Sequence, residues 1–206
     1  MEFKLKYTED EGKHIFFTSD THFFHKNIIW MCLRPYDSVE EMNQKLIENW
    51  NNVVTNDDIV FHLGDFAFAG QPAWRSIREQ LNGNIVLIKG NHDEKNLRNG
   101  CKVLFDGVYE QIRLYIGTRC IYLNHYPFLC YGGSYKNEKD AVWNLFGHVH
   151  SGPNSTTGLD INRLKVLFPY QYDVGVDNNN YTPVSYSQLI NIINEQQRNY
   201  KWKHTL

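Results

Sequence analysis

Ile85-Val86-Leu87-Ile88-Lys89-Gly90-Asn91-His92-Asp93 joins a short apolar run to a block of polar, metal-type side chains. The run of branched aliphatic residues predicts a strand, and Gly90 ends it. The same construction recurs along the chain. Residues 13–19 (Lys-His-Ile-Phe-Phe-Thr-Ser) predict a strand that ends at Asp20-Thr21-His22. Asp58 to Leu63 runs into Gly64-Asp65, Arg119–Asn124 ends at His125, and Val142 to Phe146 leads into Gly147-His148-Val149-His150. A layered α/β fold explains the repetition. Strand C-termini line up along one edge of such a sheet, and the loops there carry function on a rigid base. Blocks scattered from residue 20 to residue 150 are therefore expected to meet at one point.

Helical signals fall between these runs. Ser38-Val39-Glu40-Glu41 is a capping box, followed by Met42, Leu46, Ile47 and Trp50 at helical spacing. Pro72 to Leu81 predicts a second helix with proline near its first turn. Gly107–Ile116 predicts one strand, paired with Arg119–Asn124 around Gly117-Thr118. Tyr172 to Val176 predicts a further strand, and Ser185 with Gln188 opens a last helix through Leu189, Ile190 and Ile193.

Composition narrows the classes. With 206 residues, 42% hydrophobic and 15% aromatic, the chain is expected to form one globular domain over 1–206. A net charge of −2 and the absence of a Lys/Arg run give no general attraction to polymeric nucleic acid. Cys32, Cys101, Cys120 and Cys130 form no CxxC pair and read as reduced thiols of a cytoplasmic protein. The stretch Met1 to Lys6 lacks a signal-peptide core, and no apolar run reaches the roughly 20 residues of a membrane span.

The donors in the blocks are Asp20, His22, Asp65, Asn91, His125, His148 and His150, all nitrogen or oxygen. Such a set suits divalent transition ions rather than a thiolate-bound structural zinc. Asp20 and His22, two apart, would face one site if the pleat continued. A carboxylate can bridge two ions, and Asp65 is the natural bridge. Paired ions with open positions can hold a hydroxide for in-line attack on phosphorus and neutralise the developing charge. His92 is not needed as a ligand. It is assigned to the transition state or the leaving oxygen, with Asp93 as its orienting partner.

The ordered set Asp-x-His, Gly-Asp, Gly-Asn-His-Asp, His, Gly-His-x-His, running from Asp20 to His150, resembles the calcineurin-like metallophosphoesterase superfamily. The resemblance implies two mixed β-sheets packed face to face with helices outside, a four-layer αββα sandwich. It implies one ion on Asp20, His22, Asp65 and His150, and another on Asp65, Asn91, His125 and His148. Manganese is the expected metal, with iron, zinc or nickel as the other usual ions. The chain departs from many members at Gly64-Asp65-Phe66-Ala67-Phe68, where they read Gly-Asp-x-x-Asp, often with an arginine next. That departure argues against the protein phosphatase branch and favours the small bacterial and phage type. Without an evident arginine clamp for a dianionic monoester, a phosphodiester substrate is expected.

Alternatives stay open at this point. They are a phosphomonoesterase, a nuclease on nucleic-acid ends, and an inactive scaffold of the same fold. A phosphoester, a nucleotide among the candidates, is the expected partner, with no membrane partner; oligomeric state is not legible. His25, Asn27 and Arg34 are candidate substrate contacts, against the plainer readings of a helix-start cluster for the first two and a solvated charge for Arg34. His62 reads as a satisfied core histidine. Tyr131-Gly132-Gly133-Ser134-Tyr135 is either a lid or stacking surface, or an ordinary loop.

Overall fold

A computed structural model describes residues 3–134, 141–151 and 166–204. Tyr135, at the end of the aromatic loop, lies outside the described residues. In chain order the strands are β1 (Phe3–Tyr7), β2 (Ile15–Thr18), β3 (Ile59–His62), β4 (Asn84–Ile88), β5 (Gly107–Tyr109), β6 (Gln111–Ile116), β7 (Arg119–Asn124), β8 (Trp143–Phe146), β9 (Gln171–Asp173) and β10 (Val184–Ser185). The helices are α1 (Glu9–Gly12), α2 (Lys26–Met31), α3 (Val39–Val53), α4 (Gln71–Arg78), α5 (Glu94–Arg98) and α6 (Tyr186–His204), with short 3₁₀ turns at Cys101–Leu104 and Val176–Asn178.

The strands form two five-stranded mixed sheets. One has the order β1-β6-β7-β8-β9 and the other β10-β2-β3-β4-β5. In the second, β2, β3, β4 and β5 are parallel. In the first, β7, β8 and β9 are parallel. The five strands that precede a polar block, β2, β3 and β4 in one sheet and β7 and β8 in the other, therefore end on the same side within each sheet.

Alternation along the strands decides which side chains face inward. Ile15 and Phe17 of β2, Phe61 of β3, Val86 and Ile88 of β4, Ile112, Leu114 and Ile116 of β6, and Leu145 of β8 share one buried cluster. This apolar layer locks the two sheets together, and Leu189 and Ile193 of α6 extend it. The opposite faces of β3 and β4, through Val60, Ile85 and Leu87, meet Met42, Leu46 and Trp50 of α3, Trp74 and Ile77 of α4, and Leu97 of α5. The expected α/β architecture, two mixed sheets with flanking helices, is thus present.

One element departs from expectation. The run Gly107–Ile116 is not a single strand. It bends at Glu110, so that β5 joins β4 in one sheet and β6 joins β1 and β7 in the other. Glu110 falls where the apolar face of Ile112, Leu114 and Ile116 would continue, and Val108 packs with the helix-side core while Ile112 packs between the sheets. Tyr172–Val176 is also shorter than expected, because the chain leaves the sheet after Asp173 and turns at Val176–Asn178.

Candidate metal centre

The loops after β2, β3, β4, β7 and β8 do converge. Ligand atoms of Asp20, His22 and His150 lie within 4.8 Å of one another, as do those of Asp65, His125 and His148. Asp65 touches both groups. Its Oδ2 is 3.5 Å from His22 Nε2 and 3.6 Å from His125 Nε2. Its Oδ1 accepts the His92 N–H at 2.9 Å. Only one carboxylate oxygen of Asp65 is therefore near both sets. Asn91 completes the cluster, with Oδ1 2.9 Å from His125 Nε2.

The backbone reaches this arrangement by left-handed turns, not by a continued pleat. Asp20, His22, Asp65, His148 and His150 all have positive φ, between 47° and 70°. Each such residue costs about 1–3 kcal/mol and persists only where its surroundings over-determine it. The over-determination is visible. Asp20 N–H donates to the Gly64 carbonyl, His22 N–H to the Asp65 carbonyl, and Gly147 N–H to the His125 carbonyl. Asp20 Oδ2 accepts the His148 N–H at 2.9 Å, tying the β2 loop to the β8 loop across the two sheets. The motif glycines are required by crowding. A Cβ on Gly90 would strike the Asp65 carboxylate, and one on Gly147 would strike Ser19 Oγ and Asp20 Oδ2.

The hydrogen bonds fix which atoms remain free. His125 Nδ1 lies 2.7 Å from the Leu63 carbonyl, which can only accept, so this nitrogen carries the proton of the neutral ring. Nε2 then presents a lone pair toward another acceptor, Asn91 Oδ1. Two acceptors facing each other at hydrogen-bond distance ask for a cation. His150 Nδ1 likewise meets Asp177 Oδ2 at 2.7 Å, leaving Nε2 directed at Asp20 Oδ1, 3.9 Å away. Asp20 Oδ1 and both ring nitrogens of His22 are buried and without a hydrogen-bond partner among the described residues. Orphaned buried acceptors are rare and demand an explanation. A divalent ion satisfies Asp20 Oδ1 and the lone-pair nitrogen of His22, the other ring nitrogen being an N–H donor, so the residues fit the implied metals.

Electrostatics agree. Burial pushes the His22 pKa well down, and the charge of His150 adds to the effect, so the ring is neutral and free to ligate. Burial also opposes charge on His150. Hydrogen bonds to Asp177 and Cys32, with the charges of Asp20 and Asp177, outweigh it and hold the pKa up at about 11, so an ion on this nitrogen would have to displace a proton. Burial, and then the charge of Asp20, raise the Asp65 pKa.

Several sequence assignments need correction. Asp93 does not orient His92. Its carboxylate is buried and accepts the N–H groups of Asp65, Phe66 and Gly90 at 2.8–3.0 Å, so it braces the bridging loop. Burial and then the charge of Asp65 raise its pKa to about 6. Arg34 is not a phosphate contact at the surface. Its buried guanidinium pairs with Asp177 at 2.8 and 2.9 Å and donates to the carbonyls of Asp20 and Thr21. Asn27 is exposed on α2 and makes no approach to the cluster among the contacts described. His25 caps α2, accepting the Ile28 N–H, while its ring lies 5.4 Å from that of His22. His92 stands at the rim with its side chain 41% exposed and Nε2 4.0 Å from Asp65 Oδ2. His62 is a core residue, hydrogen-bonded to Thr21 and Gly64, and burial drives its pKa down to about 3.

Asp177 escaped the sequence reading. It follows β9 as the other blocks follow their strands, two residues beyond Gly175. The signal was present but carried no histidine. Cys32 lies within 4.8 Å of His150 and Asp177.

A profile of the calcineurin-like phosphoesterases matches residues 13–181, more than half of the chain and all of these loops. The chain belongs to the calcineurin-like phosphoesterase family. It is 36% identical over 186 residues to an uncharacterized protein of Methanocaldococcus jannaschii, covering 88% of this chain and 92% of that one. It is 28% identical over 165 residues to the Gene 66 protein of Mycobacterium phage L5, covering 66% and 76%. A crystal structure of a protein of unknown function from Aquifex aeolicus superposes with a TM-score of 0.63 at 26% identity, covering 86% of this chain and 98% of that one. No helix among the described residues is long and apolar enough to cross a membrane.

Proposed function

We propose that this family member is a dimetal phosphoester hydrolase that prefers phosphodiesters. The observation that carries the reading is the pair of ligand clusters joined through Asp65 Oδ2, with unpartnered acceptors on Asp20 and His22. Asp20, His22 and His150 with Asp65 would hold one ion; Asp65, Asn91, His125 and His148 would hold the other. Manganese suits these hard and borderline donors, with iron, zinc and nickel as competitors. The ions, when bound, supply an activated water and positive charge for the phosphoryl oxygens.

The remaining roles belong to the chain. Asp177 and Leu63 fix the ring orientations of His150 and His125, so their free nitrogens face the cluster. Asp93 holds the loop that presents Asp65. His92, at the rim and half open to solvent, is placed to give a proton to the departing alkoxide. The preference for a diester rests on Arg34. The guanidinium nearest the β2 loop is bound to Asp177 and to two carbonyls, and so is not offered to the extra charge of a monoester.

The test compares p-nitrophenyl phosphate with bis(p-nitrophenyl) phosphate, using protein stripped with chelator and reloaded with manganese. Faster turnover of the diester per mole of protein is expected. Preference for the monoester overturns the diester assignment. Absence of turnover with manganese, iron, zinc and nickel alike favours an inactive scaffold.

A further inference from the structure

Two exposed aromatic rings border the centre, and neither belongs to a hydrophobic core cluster. Phe68 follows β3, is 51% exposed, and lies 4.2 Å from the ring of His25 and 5.5 Å from that of His92. Tyr126 follows β7, is 45% exposed, and lies 4.6 Å from His148 and 4.9 Å from His125. Each ring packs on histidines of the site and turns its free surface to solvent. One stands on the loops of each sheet, with Asp65 between them in the chain of contacts. Next to Phe68 runs a groove of about 400 Å³, lined by His92, Lys95, Gln71, Asn96 and Asn99. Ala67, Ala69 and the Phe68 ring make most of its wall apolar, and the amides of Gln71, Asn96 and Asn99 stand along it.

Exposed rings on both sides of a phosphoryl site suit a substrate with a planar group on each side of its phosphorus. Aromatic platforms bind bases of single strands by stacking and tolerate sequence variation. Amides can meet base edges once these are unpaired. The weak net charge and the absence of a Lys/Arg run argue against a long polyanion.

Building on the diesterase reading above, we propose that the substrate is a short single-stranded nucleic acid, the smallest being a dinucleotide, with one base on Phe68 and the next on Tyr126. Hydrolysis then forms a bond from a water oxygen to phosphorus and breaks the bond from phosphorus to one sugar oxygen. That oxygen takes up a proton, and the products of a dinucleotide are a nucleoside and a nucleoside monophosphate. Phe68 and Tyr126 set specificity, while Lys95 meets a further phosphate where the strand is longer.

The test uses the manganese-loaded full chain and two diesters, thymidylyl-(3′→5′)-thymidine and methyl p-nitrophenyl phosphate. The second is also a phosphodiester but carries no nucleoside: one flank is a methyl group and the other an activated p-nitrophenyl leaving group, so only the change in the ratio between variants is read. The readout is the ratio of kcat/KM for the dinucleotide to kcat/KM for the methyl ester. Phe68→Ala and Tyr126→Ala should each lower this ratio by about tenfold, the scale of losing one base stack. Phe68→Trp should keep it close to the parent value. An unchanged ratio in both alanine variants overturns the proposal, as does a parent protein that cleaves the methyl ester but not the dinucleotide. A parent protein that cleaves neither refutes the diesterase reading itself, and this inference with it.

Discussion

Asp177 holds His150 from behind: its Oδ2 sits 2.7 Å from Nδ1, while the same carboxylate receives Arg34 at 2.8 and 2.9 Å. Arg34 also donates to the carbonyls of Asp20 and Thr21, so one buried ion pair orients a candidate ligand and supports the loop that carries two others. Burial works against a charged Asp177, and the Arg34 guanidinium offsets it, keeping the carboxyl ionised below the usual range.

Asp177→Asn should therefore weaken the ion on the Asp20 side more than the other. Loss of such an orienting partner typically costs 10- to 100-fold, that is about tenfold or more, in metal affinity. Calorimetric manganese titration should show one site weakened and one nearly unchanged. Equal weakening of both sites would contradict the assignment. Arg34→Ala should instead destabilise the fold by about 3–5 kcal/mol, because the buried Asp177 keeps only His150 as a partner and the carbonyls of Asp20 and Thr21 lose their donor; urea unfolding checks this.

Asp65 and His92 should separate cleanly. Asp65→Ala removes the oxygen near both clusters and should abolish binding of both ions together with turnover. His92→Ala should leave metal content intact and slow hydrolysis by ~10²-fold or more, the scale of general acid–base help. Metal analysis beside steady-state rates decides the matter, and a metal-depleted His92→Ala protein would refute its role as a proton donor.

Away from the centre, Asp58 links pH to stability. Burial opposes its charge, but the Thr55 N–H, the Thr55 hydroxyl and His14 outweigh this, and its pKa is held below the ordinary 3.8. A lowered native pKa means the unfolded chain takes up the proton first. The stabilisation is therefore complete above pH 3.8 and disappears as pH falls through the lower native value. Asp58→Asn should be about 1–2 kcal/mol less stable at pH 7, and the gap should close on acidification below pH 4. Urea midpoints measured across that range test the claim; a gap independent of pH would disprove it.

Much of the site is legible in the sequence because each block follows an apolar run and three of the five carry a glycine. Gly90 and Gly147 report places where two loops nearly touch, a steric demand that a sequence states directly. Other features depend on contacts between distant residues and leave no local trace. Asp93 lies beside His92 in the chain yet turns to the Asp65 and Phe66 backbone. Arg34 resembles any surface arginine until Asp177, far along the chain, is folded against it. The bend at Glu110 is hard to see because no glycine or proline interrupts residues 108–116. The left-handed turns at Asp20 and His22 are likewise invisible, since neither residue type advertises positive φ as glycine does.

The central claim is that two ions sit side by side and share Asp65. Anomalous diffraction from crystals soaked in manganese tests it most directly. Two adjacent peaks are expected, one against Asp20, His22 and His150, the other against Asn91, His125 and His148, with Asp65 Oδ2 touching both. A single peak, or a peak lodged between Cys32 and Asp177 instead, would contradict the account.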